Sequence, residues 1–202
     1  QAVEQAQGPE KARDKFRLQW TENAEHVPPM LLPSHARRAT TTWLIDYMPS
    51  IEQGLVDLAA WVEKGVEPPE TSYSFADGKV SLPKTALERG GTQPVVRVQA
   101  NGAPLAEVSA GEDVTVVVDA EAPPQAGTFT QLHWATNPSG TFDRESKVEP
   151  GKTALSETIS CRFAQPGTYF VTARVRLNRE GNPNARRQIE NRKRCCVPTL
   201  RG

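Results

Sequence analysis

Residues 166–177, PGTYFVTARVRL, decide the fold because they join a turn to a long β-strand pattern. Pro166-Gly167 is a turn signal, and the residues that follow are rich in β-branched and aromatic side chains. Further apolar or alternating runs, separated by turn residues, occupy 95–99, 114–118, 128–135, 158–163 and 188–197. Six or seven short strands in about a hundred residues predict a β-sandwich.

The composition is that of a soluble globular chain of one or two domains. The 202 residues carry 24 basic and 24 acidic side chains, and no apolar run is long enough to cross a bilayer. No signal peptide is visible, and because the sequence opens on Gln1 we expect a processed or trimmed piece of a longer protein. The three cysteines leave two alternatives open, either three thiols or one bridge from Cys161 to Cys195 or Cys196.

Residues 40–65, TTTWLIDYMPSIEQGLVDLAAWVEKG, contain the longest helical pattern. We predict a kink at Pro49, a main helix over 50–64 and a C-terminal cap at Gly65. Six apolar side chains recur at steps of three and four: Leu44, Met48, Ile51, Leu55, Leu58 and Val62. Such a stripe requires a large apolar surface to cover it, and the residues before the helix do not supply one.

A single strand is predicted before this helix, over residues 16–21, where Phe16, Leu18 and Trp20 alternate with polar residues. One strand is not stable by itself, so we expect it to pair with strands from elsewhere. A polar loop with His26 follows. The organisation predicted for the chain is a strand–loop–helix segment at 1–70, a hairpin and linker at 71–92 around Asp77-Gly78, and the sandwich at 93–202.

Two pairs of segments resemble known families. FRLQWTENAEHVPP (16–29) with IDYMPSIEQGLVDLAAWVEKGVEPP (45–69) is similar to the C-terminal end of secreted bacterial α/β-hydrolases of the tannase and feruloyl-esterase type. QPVVRVQANGAPLAEVSAGEDVTVVVDA (93–120) with QPGTYFVTARV (165–175) resembles immunoglobulin-like modules of the PKD kind. The fold class implied is an α+β fragment, comprising the last strand, histidine loop and C-terminal helix of an α/β-hydrolase sheet followed by a PKD-type β-sandwich.

The resemblance implies the C-terminal portion of a secreted serine carboxylic-ester hydrolase. The chain contains no G-x-S-x-G nucleophile elbow, so the serine, the triad acid and the rest of the sheet are expected on a second polypeptide. An ester is the expected substrate, and no cofactor is expected. His26 is then the expected general base, since a loop at a strand's end gives it reach. His35 is its competitor, and His133 is expected to be structural.

Other candidate sites are weaker. Glu25 and Asp46 lie near His26 in sequence, but Asp46 is expected to be a solvated or helix-end charge. No Cys/His spacing predicts a zinc site. A calcium site formed by Asp119, Glu121 and Asp143 is the alternative to no metal. The basic run 186–194 is interpreted as a charged edge strand rather than a patch for an anionic polymer, so no nucleic-acid partner is expected.

A second function from another class stays open. The chain is then a non-catalytic β-sandwich module that binds carbohydrate or a cell surface, with the N-terminal region as a helical stalk. The apolar stripe of the long helix separates the two hypotheses, because a stalk would be polar on all sides or would form a coiled coil.

Overall fold

The computed structural model describes residues 2–27, 31 and 43–201. Its helices are α1 (Ala2–Gln7), α2 (Pro9–Lys15), α3 (Met48–Lys64) and α4 (Ala86–Arg89). A small hairpin is formed by β1 (Ser74–Ala76) and β2 (Lys79–Ser81). The remaining strands are β3 (Val95–Ala100), β4 (Val108–Ser109), β5 (Asp113–Glu121), β6 (Thr128–Ala135), β7 (Arg144–Ser146), β8 (Ala154–Arg162), β9 (Gly167–Asn178) and β10 (Ile189–Leu200).

Strands β3–β10 form a sandwich of two sheets. One sheet has the order β4-β10-β9-β6-β7 and the other β3-β5-β8, and every pair is antiparallel except β4 with β10. The chain crosses from one sheet to the other between β5 and β6, returns at β8 and crosses again at β9. This order matches an immunoglobulin-like fold in which β5, β6, β9 and β10 are strands B, C, F and G. The predicted sandwich is therefore confirmed.

The core lies between the sheets and follows from strict alternation. Val114, Val116 and Val118 of β5 are fully buried, and β9 sends Val171, Ala173, Val175 and Leu177 to the same interior. The largest buried side chain is Trp134 of β6, whose Nε1 donates to Ser146 Oγ over 3.1 Å. A tryptophan on strand C is a hallmark of immunoglobulin domains.

A tyrosine corner closes the sandwich at the start of β9. Tyr169 Oη donates to the carbonyl oxygen of Gln165 over 2.9 Å, and its ring stacks on Phe163 with 4.2 Å between centroids. Two residues later, where antibody domains carry their second cysteine, Val171 is fully buried. Cys161, Cys195 and Cys196 are all free thiols, so no disulfide joins the two sheets across the core.

The long helix agrees closely with its prediction, apart from the kink. Pro49 lies in the first turn of α3, where a missing N–H breaks no hydrogen bond, so the helix runs unkinked from Met48. It ends at Gly65, whose φ of 67° is left-handed. The hairpin at Asp77-Gly78 is also confirmed, with φ values of 51° and 74° at these two residues.

The resemblance to tannase-type α/β-hydrolases is wrong. In residues 2–27 and 43–92 the structure has no parallel sheet with crossover helices, and β-structure dominates the described chain. Residues 16–21 are extended but belong to no ladder, and an isolated parallel bridge joins Ala24 to Ile45. The physical reason is that one alternating segment cannot form a sheet by itself. The division at 70 and 92 stays a prediction.

Candidate functional site

The outer surface of the five-stranded sheet carries a row of cationic side chains. Because Ala173 and Val175 point into the core, Arg174 and Arg176 of β9 point outward, and Arg192 and Arg194 of β10 do the same. The strand register places Arg192 beside Arg174, and Arg174 beside His133 of β6. We call this surface, with its three aromatic rings, the arginine face: His133, Arg174, Arg176, Arg192, Arg194, Trp43, Phe142 and Phe170.

The rings of the arginine face come from three separate parts of the chain. Phe142, in the loop before β7, lies 4.1 Å from the guanidinium carbon of Arg174 and 5.4 Å from that of Arg192, measured to the ring centroid. Arg194 lies 4.3 Å from the ring of Trp43 and 4.4 Å from that of Phe170. These distances are within the range of cation–π attraction, so the rings hold the guanidinium planes in place.

Negative charge on the arginine face is scarce. Glu190, only 4% exposed, accepts from Arg176 Nε over 2.9 Å and from Arg192 Nη2 over 2.7 Å, so one buried carboxylate serves two arginines. At the rim, Glu145 Oε1 lies 3.7 Å from His133 Nε2. Arg174 forms no ion pair with any residue that the structure describes, and its buried Nε has no hydrogen-bond acceptor there. A buried, unpaired guanidinium N–H is unfavourable unless something else accepts from it.

The pKa values of Arg174 and His133 are both lowered, which is consistent with the scarcity of negative charge around them. Burial, reinforced by the charges of Arg176 and Arg192, lowers the pKa of Arg174 to about 10. Burial, with the positive charge of Arg174 beside it, also lowers the pKa of His133 below its ordinary value of 6.5. The Nδ1 of His133 is buried without a hydrogen-bond partner in the described structure. The two unsatisfied nitrogen atoms belong to residues that are neighbours in the strand register.

His26, the residue predicted to be the catalytic base, lies elsewhere. It is exposed in the loop after residues 16–21, at one end of a groove of about 740 Å³ between that segment and α3. Glu25 lines the same groove, whereas Asp46 Oδ1 accepts from the backbone N–H of Met48 over 2.9 Å, at the start of α3. His35 lies outside the described residues. The role of His26 stays a prediction, and a partner chain or an ester substrate has no support.

The three candidate calcium ligands are not brought together. Asp119 and Glu121 lie on β5, and Glu121 pairs with Arg97 and accepts from the backbone N–H of Ala86 over 3.0 Å. Asp143 lies before β7, where its carboxylate accepts from the backbone and side chain of Thr136. Within residues 2–27, 31 and 43–201, no three potential ligands form a metal-binding group. No helix in these ranges is long and apolar enough to span a membrane.

Comparisons with known proteins name no family for this chain. No family of known proteins matches the chain, and no curated protein matches it significantly. Among solved structures it is similar to the CARDB domain of a Pyrococcus furiosus protein, at 20% identity and a TM-score of 0.36, over 54% of this chain and 96% of that domain. A PapD-like (ASH) domain of human CEP192 matches at 12% identity and a TM-score of 0.33, over 66% and 99%. At these TM-scores, the assignment of the fold depends on the strand order described above.

Proposed function

We propose that this chain is a non-catalytic immunoglobulin-like module that binds an acidic polysaccharide through the arginine face. This proposal is the second of the two functions considered from the sequence, a non-catalytic binding module, with the ligand now specified as an acidic polysaccharide. The Arg174 guanidinium carries the proposal: it has no ion-pair partner among the described residues, and a carboxylate or sulfate group is the acceptor that such a fork fits best. An extracellular location, which only the resemblance to secreted proteins implies, belongs to the same proposal.

A polymer suits the arginine face better than a small anion does. The strands are about 4.8 Å apart, so the row from Arg192 to His133 across three strands spans roughly 10 Å. Charges repeated along a polysaccharide engage several of these cations at once. Phe170 and Arg194 are exposed at one end of the face, where a sugar ring has an aromatic and a cationic surface to contact.

Affinity measurements on the full chain test this proposal, with polygalacturonate and heparin as the carboxylate and sulfate probes and dextran as the neutral control. Arg174→Gln is expected to weaken polyanion binding about tenfold or more, since hydrogen bonds to charged groups contribute roughly 1.5–3 kcal/mol. Arg162→Gln is the matched control. It removes the same charge from an exposed pair with Asp113 on the other sheet and should leave the affinity unchanged.

Three outcomes would overturn the proposal. Neither polyanion binds, or both variants lose the same affinity, or a DNA oligonucleotide binds as tightly as the polysaccharides. A second measurement reports the contact directly: a bound anion beside His133 should raise the pKa of its imidazole, followed by NMR, because nearby negative charge favours the protonated ring. An unchanged His133 titration in a saturated complex would place the ligand elsewhere.

A further inference from the structure

Helix α3 presents its polar side to the sandwich and its apolar side outward. Its buried side chains are Gln53 and Asp57, and Asp57 accepts from both terminal nitrogens of Arg179, one of them over 3.1 Å. Gln53 Nε2 donates to Asp57 Oδ1 over 3.0 Å. Leu55 and Val62, by contrast, are 61% and 79% exposed. Since apolar patches of this kind mark interaction sites on soluble proteins, α3 offers a surface to something else.

The extended segment 16–21 beside α3 has one satisfied edge and one open edge. Leu18 accepts from the backbone N–H of Thr71 over 2.8 Å, and Trp20 N–H donates to Thr71 Oγ1 over 3.0 Å. Successive residues of an extended chain turn their backbone groups to opposite edges. Those of Arg17, Gln19 and Thr21 therefore face the other way, where they have no backbone partner among the described residues.

The residues of the open edge, Arg17, Gln19 and Thr21, also line the groove beside α3. Ile51, Gly54, Leu58 and Trp61 of α3 form one wall, and the polar residues of segment 16–21 form the other. Gly54 lies so close to the segment that a Cβ built there would be 4.0 Å from Gln19 Oε1. A strand added at the open edge would consequently run over the apolar side of α3.

We propose that this groove is the docking site for an apolar edge strand of a partner protein. Backbone pairing with Arg17, Gln19 and Thr21 requires an extended chain, because a helix has no free row of backbone groups. Covering Ile51 and Leu58, which line the groove, requires apolar side chains on the strand's inner face.

A second copy of this chain does not meet both conditions. Two copies of segment 16–21 can pair antiparallel around a two-fold axis. The side of each strand that faces α3 then lies on the same side of the two-stranded sheet. It would place Arg17, Gln19 and Thr21 of the second copy over the apolar residues of α3. Those residues would remain opposite polar groups, so an unlike partner with apolar residues at these positions fits the groove better.

The test uses the full chain and a synthetic peptide of about six residues that alternates valine with lysine. Bound peptide should slow amide hydrogen exchange at Arg17, Gln19 and Thr21 and leave Leu18 and Trp20 unchanged. The same peptide with its pairing amides N-methylated should not bind, because it cannot donate to the open edge. Leu58→Glu should weaken binding about tenfold or more, since one buried leucine contributes roughly 1.5–3 kcal/mol.

Leu58 is 49% exposed, so its substitution leaves the fold intact, and Leu87→Glu on α4, at a side chain 78% exposed, is the matched control that should bind normally. Unchanged exchange at Arg17, Gln19 and Thr21 in the presence of the peptide overturns the proposal. So does binding of the N-methylated peptide, or a stable dimer in sedimentation whose amides at these positions are already protected.

Discussion

The sandwich core and helix α3, which belongs to the N-terminal layer of residues 2–27 and 43–92, bury opposite kinds of side chain. In the sandwich, Trp134 and Val116 are inside and charged groups are outside. On α3 the buried residues are Gln53 and Asp57, while Leu55 is exposed. Hydrophobic burial is what makes a domain stable by itself. We therefore predict that the sandwich is stable without the N-terminal layer, and that α3 is held on it mainly by polar contacts.

The largest effect should come from the centre of the sandwich. Trp134→Ala removes the largest buried side chain and leaves Ser146 without its indole donor. Such a change costs about 3–5 kcal/mol in the free energy of unfolding. Chemical denaturation measures it, and Leu58→Ala on the exposed side of α3 is the comparison, expected within about 0.5 kcal/mol of the native chain. Similar losses in the two variants would contradict the contrast between the regions.

The sequence predicts the sandwich well because every step of its pattern is local. Alternation in residues 114–118 and the turn at Pro166-Gly167 each determine one strand, and the strands share one core. Segment 16–21 has the same alternation, but its apolar residues find no matching strand within the described chain. Alternation alone shows that a segment can enter a sheet and does not show whether the sheet is present, which is why the hydrolase resemblance failed.

A smaller and more local effect is expected where α3 meets the sandwich. Asp57→Asn weakens the contact with Arg179, which reaches α3 from the end of β9. A hydrogen bond between charged groups contributes roughly 1.5–3 kcal/mol when buried, and the partial exposure of Arg179 reduces this. Amide exchange should accelerate in α3 while the unfolding of the sandwich is unchanged.

Glu52→Gln is the control for that change. Glu52 pairs with Arg186, whose side chain is 81% exposed, and exposed pairs contribute less than about 1 kcal/mol. The amide exchange pattern of the Glu52→Gln variant should therefore match that of the native chain. If Asp57→Asn instead destabilised the whole sandwich, the two regions would form one cooperative unit.

The tyrosine corner gives a smaller effect within the sandwich. Tyr169→Phe removes one hydrogen bond to the carbonyl of Gln165 and keeps the stacking on Phe163. We expect a loss of about 1 kcal/mol in the free energy of unfolding. Tyr73→Phe, an exposed position in the N-terminal layer, should change nothing measurable in the same denaturation experiment. An equal loss of stability at both positions would show that the hydrogen bond of the tyrosine corner does not stabilise the sandwich specifically.

The arginine face was only half visible in the sequence. Arg174 and Arg176, like Arg192 and Arg194, are two residues apart, which in a strand places each pair on one side. This spacing predicts cations on one side of each strand, whereas the basic run 186–194 by itself indicates only a charged edge strand. The rings of Trp43 and Phe142 come from positions far from the arginines in the sequence. Only the folded chain brings them together, so no spacing rule could have found the complete face.

The smallest effect concerns pH. Burial and the charge of Arg174 hold the pKa of His133 below 6.5 in the folded chain, despite the opposing influence of Glu145. The unfolded chain therefore takes up a proton at this residue before the folded chain does. The contribution of neutral His133 to the free energy of unfolding is fully present above pH 6.5. It is lost as the pH falls toward the lowered pKa of the folded chain.

Denaturation midpoints measured between about pH 7.5 and 5 check this sign, since 6.5 is the ordinary histidine pKa. His133→Asn should flatten that part of the profile, because the titrating group is gone. His26→Asn removes an exposed imidazole from the N-terminal layer and should leave the profile of the native chain. If His26→Asn flattened the profile and His133→Asn did not, the pH-sensitive residue would belong to the N-terminal layer and not to the arginine face.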